Sequence, residues 1–198
     1  MAVPRMTESD APLVSVIIPA YNSLPDIFET LDSVLAQSMG DLEILIVDDG
    51  STDGTAEAVD GYHAKIRVIR QSNQGIAGAR NTGKAQARGR FYAFFDHDDV
   101  WHPGKLEAQL EVFANHPEVG VVSSSFLRWA GGEWPETFLK ASVLDVEALV
   151  PRLSGYAFHE YVLDNQLFGT VLFRREVVEE VGDFDKALPP SDDWDYMI

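Results

Sequence analysis

Hydrophobic positions in the first hundred residues come in two kinds that take turns along the chain. Unbroken β-rich runs occupy Leu13–Ile18, Leu42–Val47, Ile66–Ile69 and Phe91–Phe95. Short apolar runs bounded by polar or turn-forming residues are the pattern of strands buried on both faces. Between them the spacing is helical. Ile27, Leu31, Val34 and Leu35 share one face of a helix reaching about Gln37. Ser23 and Asp26, three apart, resemble a capping box at its start, and Pro25 suits its first turn. A short helix is predicted at Thr55–Val59 and a longer one at Gly75–Ala87. Strands alternating with helices imply right-handed crossovers and a largely parallel sheet.

Beyond residue 99 the rhythm loosens. Lys105–Asn115 is amphipathic with Leu106, Leu110 and Phe113 inward, and Val119–Ser123 reads as a strand. Gly131-Gly132 marks a turn, and Asp145–Leu153 has helical spacing. A strand is predicted at Leu167–Phe173 and a helix at Arg175–Val181. After Pro189-Pro190, Ser191 is a candidate cap for a helix start that meets no C-cap signal before Ile198. The expectation is a loose tail over 1–12 and one domain over 13–198 that belongs to a larger fold.

Composition narrows the classes. The 198 residues are 45% hydrophobic and 11% aromatic, values of a globular domain. No apolar run approaches the ~20 residues that span a bilayer, so no transmembrane segment is expected. The absence of cysteine removes disulfides and thiolate metal sites and suits a cytoplasmic location. A formal charge of −17 argues against nucleic acid as a partner, because a phosphate backbone calls for a basic face. It leaves room for a nucleotide, whose phosphates can be met by a metal and by helix N-termini.

The candidate chemistry sits where strands end. In parallel sheets ligands bind beyond the carboxyl ends of the strands, and this order puts Pro19-Ala20-Tyr21-Asn22, Asp48-Asp49 and Asp96-His97-Asp98-Asp99 along that edge. Three carboxylates within four residues repel one another unless a cation or donors neutralise them. Mg²⁺ is held by one or two carboxylates together with substrate phosphates. Each residue also has a structural reading. Asp48-Asp49-Gly50-Ser51 has turn-forming composition, and Arg80 could pair with Asp48 or Asp49 as scaffold. Gly75 and Gly78 suit close helix packing, His97 a plain loop position, and Trp101, with Pro103 and Leu106, core packing at a helix entry.

Taken together, these segments resemble the inverting nucleotide-sugar glycosyltransferases of family 2. The likeness runs through Val14-Ser15-Val16-Ile17-Ile18-Pro19-Ala20-Tyr21-Asn22, Val47-Asp48-Asp49-Gly50-Ser51-Thr52-Asp53-Gly54-Thr55, Asn73-Gln74-Gly75-Ile76-Ala77-Gly78-Ala79-Arg80-Asn81-Thr82-Gly83 and Asp96-His97-Asp98-Asp99. It continues through Phe173-Arg174-Arg175, Gly182-Asp183-Phe184-Asp185 and Asp192-Asp193-Trp194-Asp195, covering about 13 to 198 in the family's order. The resemblance implies a GT-A fold, a Rossmann-like and mostly parallel central sheet flanked by helices. It implies a nucleotide-binding half over 13–99 and a catalytic and acceptor half over 100–198 that lacks its C-terminal part.

Carried over by position, Pro19, Ala20 and Tyr21 line the base and ribose pocket, and Asp49 accepts the imide N–H of a uracil or thymine ring. Arg80 and His97 fall close to the nucleotide, Asp96 near the ribose and Asp98 on a Mg²⁺ or Mn²⁺ ion. Asp193 matches the general base, in a pair reading Asp192-Asp193 where the family usually has Glu-Asp. The implied activity is transfer of a sugar from a nucleotide-diphosphate sugar, UDP-sugar first, to a carbohydrate or other hydroxyl acceptor with inversion, as in polysaccharide biosynthesis. A nucleotide-sugar-binding module without turnover and a nucleotidyltransferase are the alternatives. The turn at Pro19–Leu24 has no glycine, which counts against the latter and excludes a dinucleotide-binding dehydrogenase. A glycoside hydrolase needs two carboxylates but neither a nucleotide pocket nor a metal.

Overall fold

The computed structural model describes residues 11–124 and 168–187. Six strands, β1 (Val14–Ala20), β2 (Leu42–Asp48), β3 (Ile66–Arg70), β4 (Phe91–Phe94), β5 (Val121–Ser123) and β6 (Val171–Arg174), form one sheet in the order β3-β2-β1-β4-β6-β5. The first four pair in parallel. β6 runs antiparallel to both β4 and β5, so it alone is reversed. The helices are α1 (Ile27–Leu35), α2 (Thr55–Val59), α3 (Gly75–Gln86), α4 (Lys105–Asn115) and α5 (Arg175–Val181).

The unbroken apolar runs are unbroken because helices cover both faces of the sheet. Val14, Val16, Ile18 and Ala20 of β1 pack with Ile44 and Ile46 against Ile27, Leu31 and Val34 of α1 and Leu106 and Phe113 of α4. The opposite face sets Ile17, Leu45 and Phe94 against Ala77 of α3, Val178 of α5 and Phe184. Removing a buried leucine such as Leu31 from this packing would cost ~2–5 kcal/mol. On the second face α3 lies very close to the strands. A Cβ added at Gly83 would stand 2.4 Å from Ile17 Cγ2, so Gly83 is the glycine that lets the helix approach. Gly75 does something else: its φ of +78° and open surroundings mark a conformational need at the helix start. Gly78 is buried, where a Cβ would crowd the Gln74 side chain.

Several local expectations are corrected. β1 continues through Pro19 to Ala20, since its outgoing carbonyls still find partners on β2. α1 begins at Ile27, after Pro25, and Asp26 makes no side-chain cap bond. Ser23 Oγ instead accepts the Tyr21 N–H at 3.0 Å, while the Ser23 carbonyl takes the first helical N–H, from Ile27. Phe168–Thr170 forms a 3₁₀ turn, so the strand predicted from Leu167 begins at Val171. The turn at Gly131-Gly132, the helix at Asp145–Leu153 and the helix start at Ser191, with Asp193, lie outside the described residues.

Candidate functional site

Every parallel strand points its carboxyl end at the same rim, and the expected convergence is seen there. A cleft of about 450 Å³ is lined by Pro19, Ala20 and Tyr21 from the end of β1, Asp49 from β2, and Asp96, His97 and Asp98 from β4. The N-terminal part of α3 adds Gly75, Ile76 and Ala79, preceded by Asn73. That volume falls within the ~300–1,000 Å³ usual for ligand sites. Two apolar side chains stand unusually open at the cleft, Tyr21 at 49% and Ile76 at 38% exposure. Asp48 and Arg80 are not among the lining residues.

Asp49 is buried and already occupied. Its Oδ1 accepts Gln71 Nε2 at 2.7 Å and the Gln74 N–H at 2.9 Å, and its Oδ2 accepts the Gly75 N–H at 2.8 Å. It therefore caps α3 from a distant loop, where helix-end N–H groups lack intrahelical acceptors and the helix dipole favours an anion. A carboxylate offers about four acceptor positions, so one on Oδ2 is left for the cleft. The neighbouring Asp48 is also buried, with Oδ1 making no hydrogen bond among the described residues.

Arg80 pairs with neither Asp48 nor Asp49. Its Nη2 donates to Asp96 Oδ1 at 3.1 Å, with the arginine side chain only 3% exposed and that of Asp96 40% exposed. Arg80 thus lies beneath the cleft and holds one oxygen of Asp96. Asp98 is exposed, and Asp99 is partly buried with its carboxyl pushed above the usual range, first by burial and then by the charges of Asp96 and Asp98. Burial and the two neighbouring charges together raise the cost of ionising Asp99. The donor set suits Mg²⁺ or Mn²⁺: hard carboxylate oxygens and no cysteine. No group of three or more potential ligands occurs among the described residues, so Asp98 and Asp96 could supply only part of a shell.

The loop bearing these acids is held by polar residues that the hydrophobic pattern passed over. Thr30 Oγ1, fully buried in α1, reaches the His97 carbonyl at 2.8 Å and the Asp99 carbonyl at 2.7 Å. Ser33 Oγ accepts the Trp101 N–H, and Gln37 Nε2 donates to the His102 carbonyl. Thr30 and Ser33 sit at i and i+3 beside the apolar stripe of α1, and Gln37 follows at i+7, two residues past the end of the helix. That spacing was the available signal. Trp101 is core, as expected: it is buried, stacks on Phe95 at 4.3 Å and donates its indole N–H to the Gly169 carbonyl.

Side chains of the loop after β2 also bind the loop after β1. Ser51 Oγ accepts the Asn22 N–H, Asn22 Oδ1 accepts the Thr52 N–H, and Asp53 accepts from Leu24 and Thr55. These bonds lace the first two loops together and fix where Tyr21 stands. Arg174 likewise staples α4 to the sheet, donating to the carbonyls of Phe113 and Val119.

Known proteins resemble this chain in sequence and in fold. An uncharacterised glycosyltransferase of a Nostoc species is 46% identical over 113 residues, which are 55% of this chain and 35% of that protein. The structure of S. aureus TarS residues 1–349 with UDP-GlcNAc has a TM-score of 0.70 at 25% identity, over 93% of this chain and 52% of that one. A mannosyltransferase from Pyrobaculum calidifontis, solved with GDP-Man and Mn²⁺, gives 0.64 at 26% identity over 95% and 52%. The chain therefore spans about a third of that curated relative and about half of each solved one. The α/β sandwich described above is accordingly GT-A-like. The sequence model of Glycosyl transferase family 2 matches residues 15–182, a span that holds the whole rim, Arg80 beneath it and the strands that present both, and the chain belongs to that family.

Proposed function

We propose that the cleft binds a nucleotide-diphosphate sugar, UDP-sugar first, and that the protein transfers the sugar to an acceptor hydroxyl with inversion. One observation carries the donor reading. The lining combines exposed apolar groups and a one-acceptor acid with the Asp96–Asp98 cluster, and includes no lysine or arginine. A diphosphate entering such a cleft meets carboxylates, so its charge has to be balanced by a cation. Asp98, with Asp96 beside it, would hold Mg²⁺ or Mn²⁺ together with phosphate oxygens. When bound, that ion supplies charge stabilisation for the departing nucleoside diphosphate. The nucleotide sugars bound by TarS and by the Pyrobaculum enzyme, the latter with Mn²⁺, support this reading.

The chain's own residues would then divide the work. Tyr21, Pro19 and Ala20 flank the base and ribose, and the remaining acceptor position of Asp49 takes a ring N–H. That position suits uracil or thymine, and it also suits the ring N–H of guanine, but not adenine or cytosine, which present an acceptor there. His97 and Arg80 complete the nucleotide side, the latter through Asp96. Residues 13–99 would thus form the nucleotide-binding half. Residues 100–198 would carry the base, Asp193, which takes the proton of the attacking hydroxyl.

Calorimetry with UDP and with GDP, each with Mn²⁺ and with EDTA, tests the donor site. Tight binding of UDP only with the metal is expected, and equal affinity in EDTA would remove the metal role. Tighter GDP would transfer the reading to guanine nucleotides. Asp193→Asn should lower kcat by ~10²–10⁴-fold while leaving donor affinity nearly unchanged. Donor binding with neither hydrolysis nor transfer in the wild type would favour the binding-module reading.

A further inference from the structure

Residues 183–186 run back along α3, and the structure shows what they hold. Asn81 clamps Phe184 in both directions: its Nδ2 donates to the Phe184 carbonyl at 2.9 Å and its Oδ1 accepts the Phe184 N–H at 2.8 Å. Lys84 pairs with Asp183 at 2.5 Å and also reaches the Gly182 carbonyl. Lys186 donates to Gln74 Oε1 at 2.8 Å. The segment is stitched to α3 at positions 74, 81 and 84, about three turns of helix.

The clamp delivers one ring. Phe184 is 2% exposed and meets Phe94 edge-on, with centroids 4.9 Å apart. Its face lies under the Arg80 guanidinium, whose central carbon is 5.6 Å from the ring centroid. Arg80 in turn donates to Asp96 Oδ1. A guanidinium is a rigid plane, and an aromatic face packed beneath it helps to fix that plane's orientation. The ring thus serves two contacts that need an aromatic, the edge of Phe94 and the guanidinium above it.

We infer that Phe184 is a positioning residue for the donor cleft, fixing the plane of Arg80 and through it the carboxylate of Asp96. The inference rests on the reading of Asp96 as a donor contact. Holding Oδ1 of Asp96 from below leaves its other oxygen aimed by the pair rather than by the rotamer alone. A carboxylate so held needs no reordering when the nucleotide arrives, and pre-ordering is what raises affinity.

The test compares wild type, Phe184→Leu and Phe184→Tyr in the whole protein, with Phe184→Met in reserve should the leucine variant fail to fold. The ligand-free readout is the Arg80 Nε–H signal in ¹⁵N NMR, assigned through its loss in Arg80→Lys. It should be slow to exchange in the wild type and Phe184→Tyr, and fast and shifted in Phe184→Leu. UDP affinity with Mn²⁺ should fall on the order of fivefold in Phe184→Leu and be retained in Phe184→Tyr. In an Asp96→Asn background the leucine change should have no further effect on UDP, because its route is gone. Equal losses in both backgrounds, or a changed Arg80 signal with unchanged UDP affinity, would reduce Phe184 to packing and overturn the inference. A wild-type protein that binds no UDP overturns the donor reading and this inference with it. Wild-type binding with an unaffected leucine variant overturns the inference alone.

Discussion

The two ends of the central strands carry acids in opposite ways. At the amino end Glu43 is buried in the second residue of β2 and saturated. It accepts Ser15 Oγ at 2.7 Å, the Arg88 N–H at 2.8 Å, and Arg88 Nε and Nη2 at 3.0 and 2.7 Å. Gly89 closes the cluster, packed so near Ser15 that a Cβ would stand 2.6 Å from its backbone nitrogen. At the carboxyl end Asp96 has one oxygen held and its side chain 40% exposed, Asp98 is exposed, and Asp99 is pushed toward its neutral form. The same residue chemistry serves the scaffold where its acceptor positions are filled by the fold. On the proposed function it would serve a ligand where they are left over. Asp49 stands between the two, with three hydrogen bonds made and a share in the cleft.

Substitutions should separate these classes. Glu43→Ala leaves Arg88 and Ser15 without their shared acceptor, and urea unfolding should show a loss of about 2–3 kcal/mol. The half-exposure of Arg88 keeps that figure moderate. UDP affinity of the folded variant should be unchanged. A matching loss of affinity would mean that the two ends are coupled. Asp49→Ala should do both kinds of damage, with about 2 kcal/mol lost from uncapping α3 and uridine and thymidine nucleotides weakened more than adenine ones. Stability loss with a uniform effect across bases would leave Asp49 as scaffold only.

Lys105 offers a charge that is neither saturated nor exposed. It is buried in α4 against the Trp101 ring, donates to neutral Gln109, and burial lowers its ammonium to about 7. An unfolded lysine keeps its proton to ~10.4, so between these values the unfolded state binds more protons and stability must rise with pH. The rise due to this group should be about 1 kcal/mol per pH unit from pH 8 to 10, and Lys105→Met should lack it in parallel unfolding curves. The smallest effect on stability belongs to Asp98→Asn, within about 0.5 kcal/mol of wild type without metal and in the stabilising direction, since it relieves Asp99. Its signature should be loss of the Mn²⁺-dependent part of UDP binding. A destabilised Asp98→Asn would place Asp98 with Glu43 and break the distinction.

The rim was legible because it depends on patterns a chain displays in order. Runs such as Leu42–Val47 announce strands, alternation announces crossovers, and crossovers send every parallel strand's carboxyl end to one side. Pro19 to Asn22, Asp48-Asp49 and Asp96 to Asp99 fall together on that ground alone, and all of them but Asn22, Asp48 and Asp99 line one cleft. The partners were not legible. Arg80 has acids at positions 48, 49 and 96 as candidate partners in the sequence, and only the packing that sets its guanidinium beside the loop after β4 selects Asp96. Gly83 stands in the same segment as Gly75 and Gly78, and a glycine needed for close approach looks in sequence like one needed for a turn.

What the sequence determined by itself was periodicity and order: which segments are strands, which face of α1 is apolar, and which acids end strands. Local sterics and the burial of apolar surface settle those within a few residues of each position. What the tertiary structure alone decided was which acceptor positions remain open. Glu43, Asp49 and Asp96 are carboxylates of equal standing along the chain. The count of donors each meets, four, three and one among the described contacts, comes from residues up to 45 positions away. A hydrogen bond is satisfied within about 3 Å, and no sequence pattern resolves a distance that short between segments that far apart.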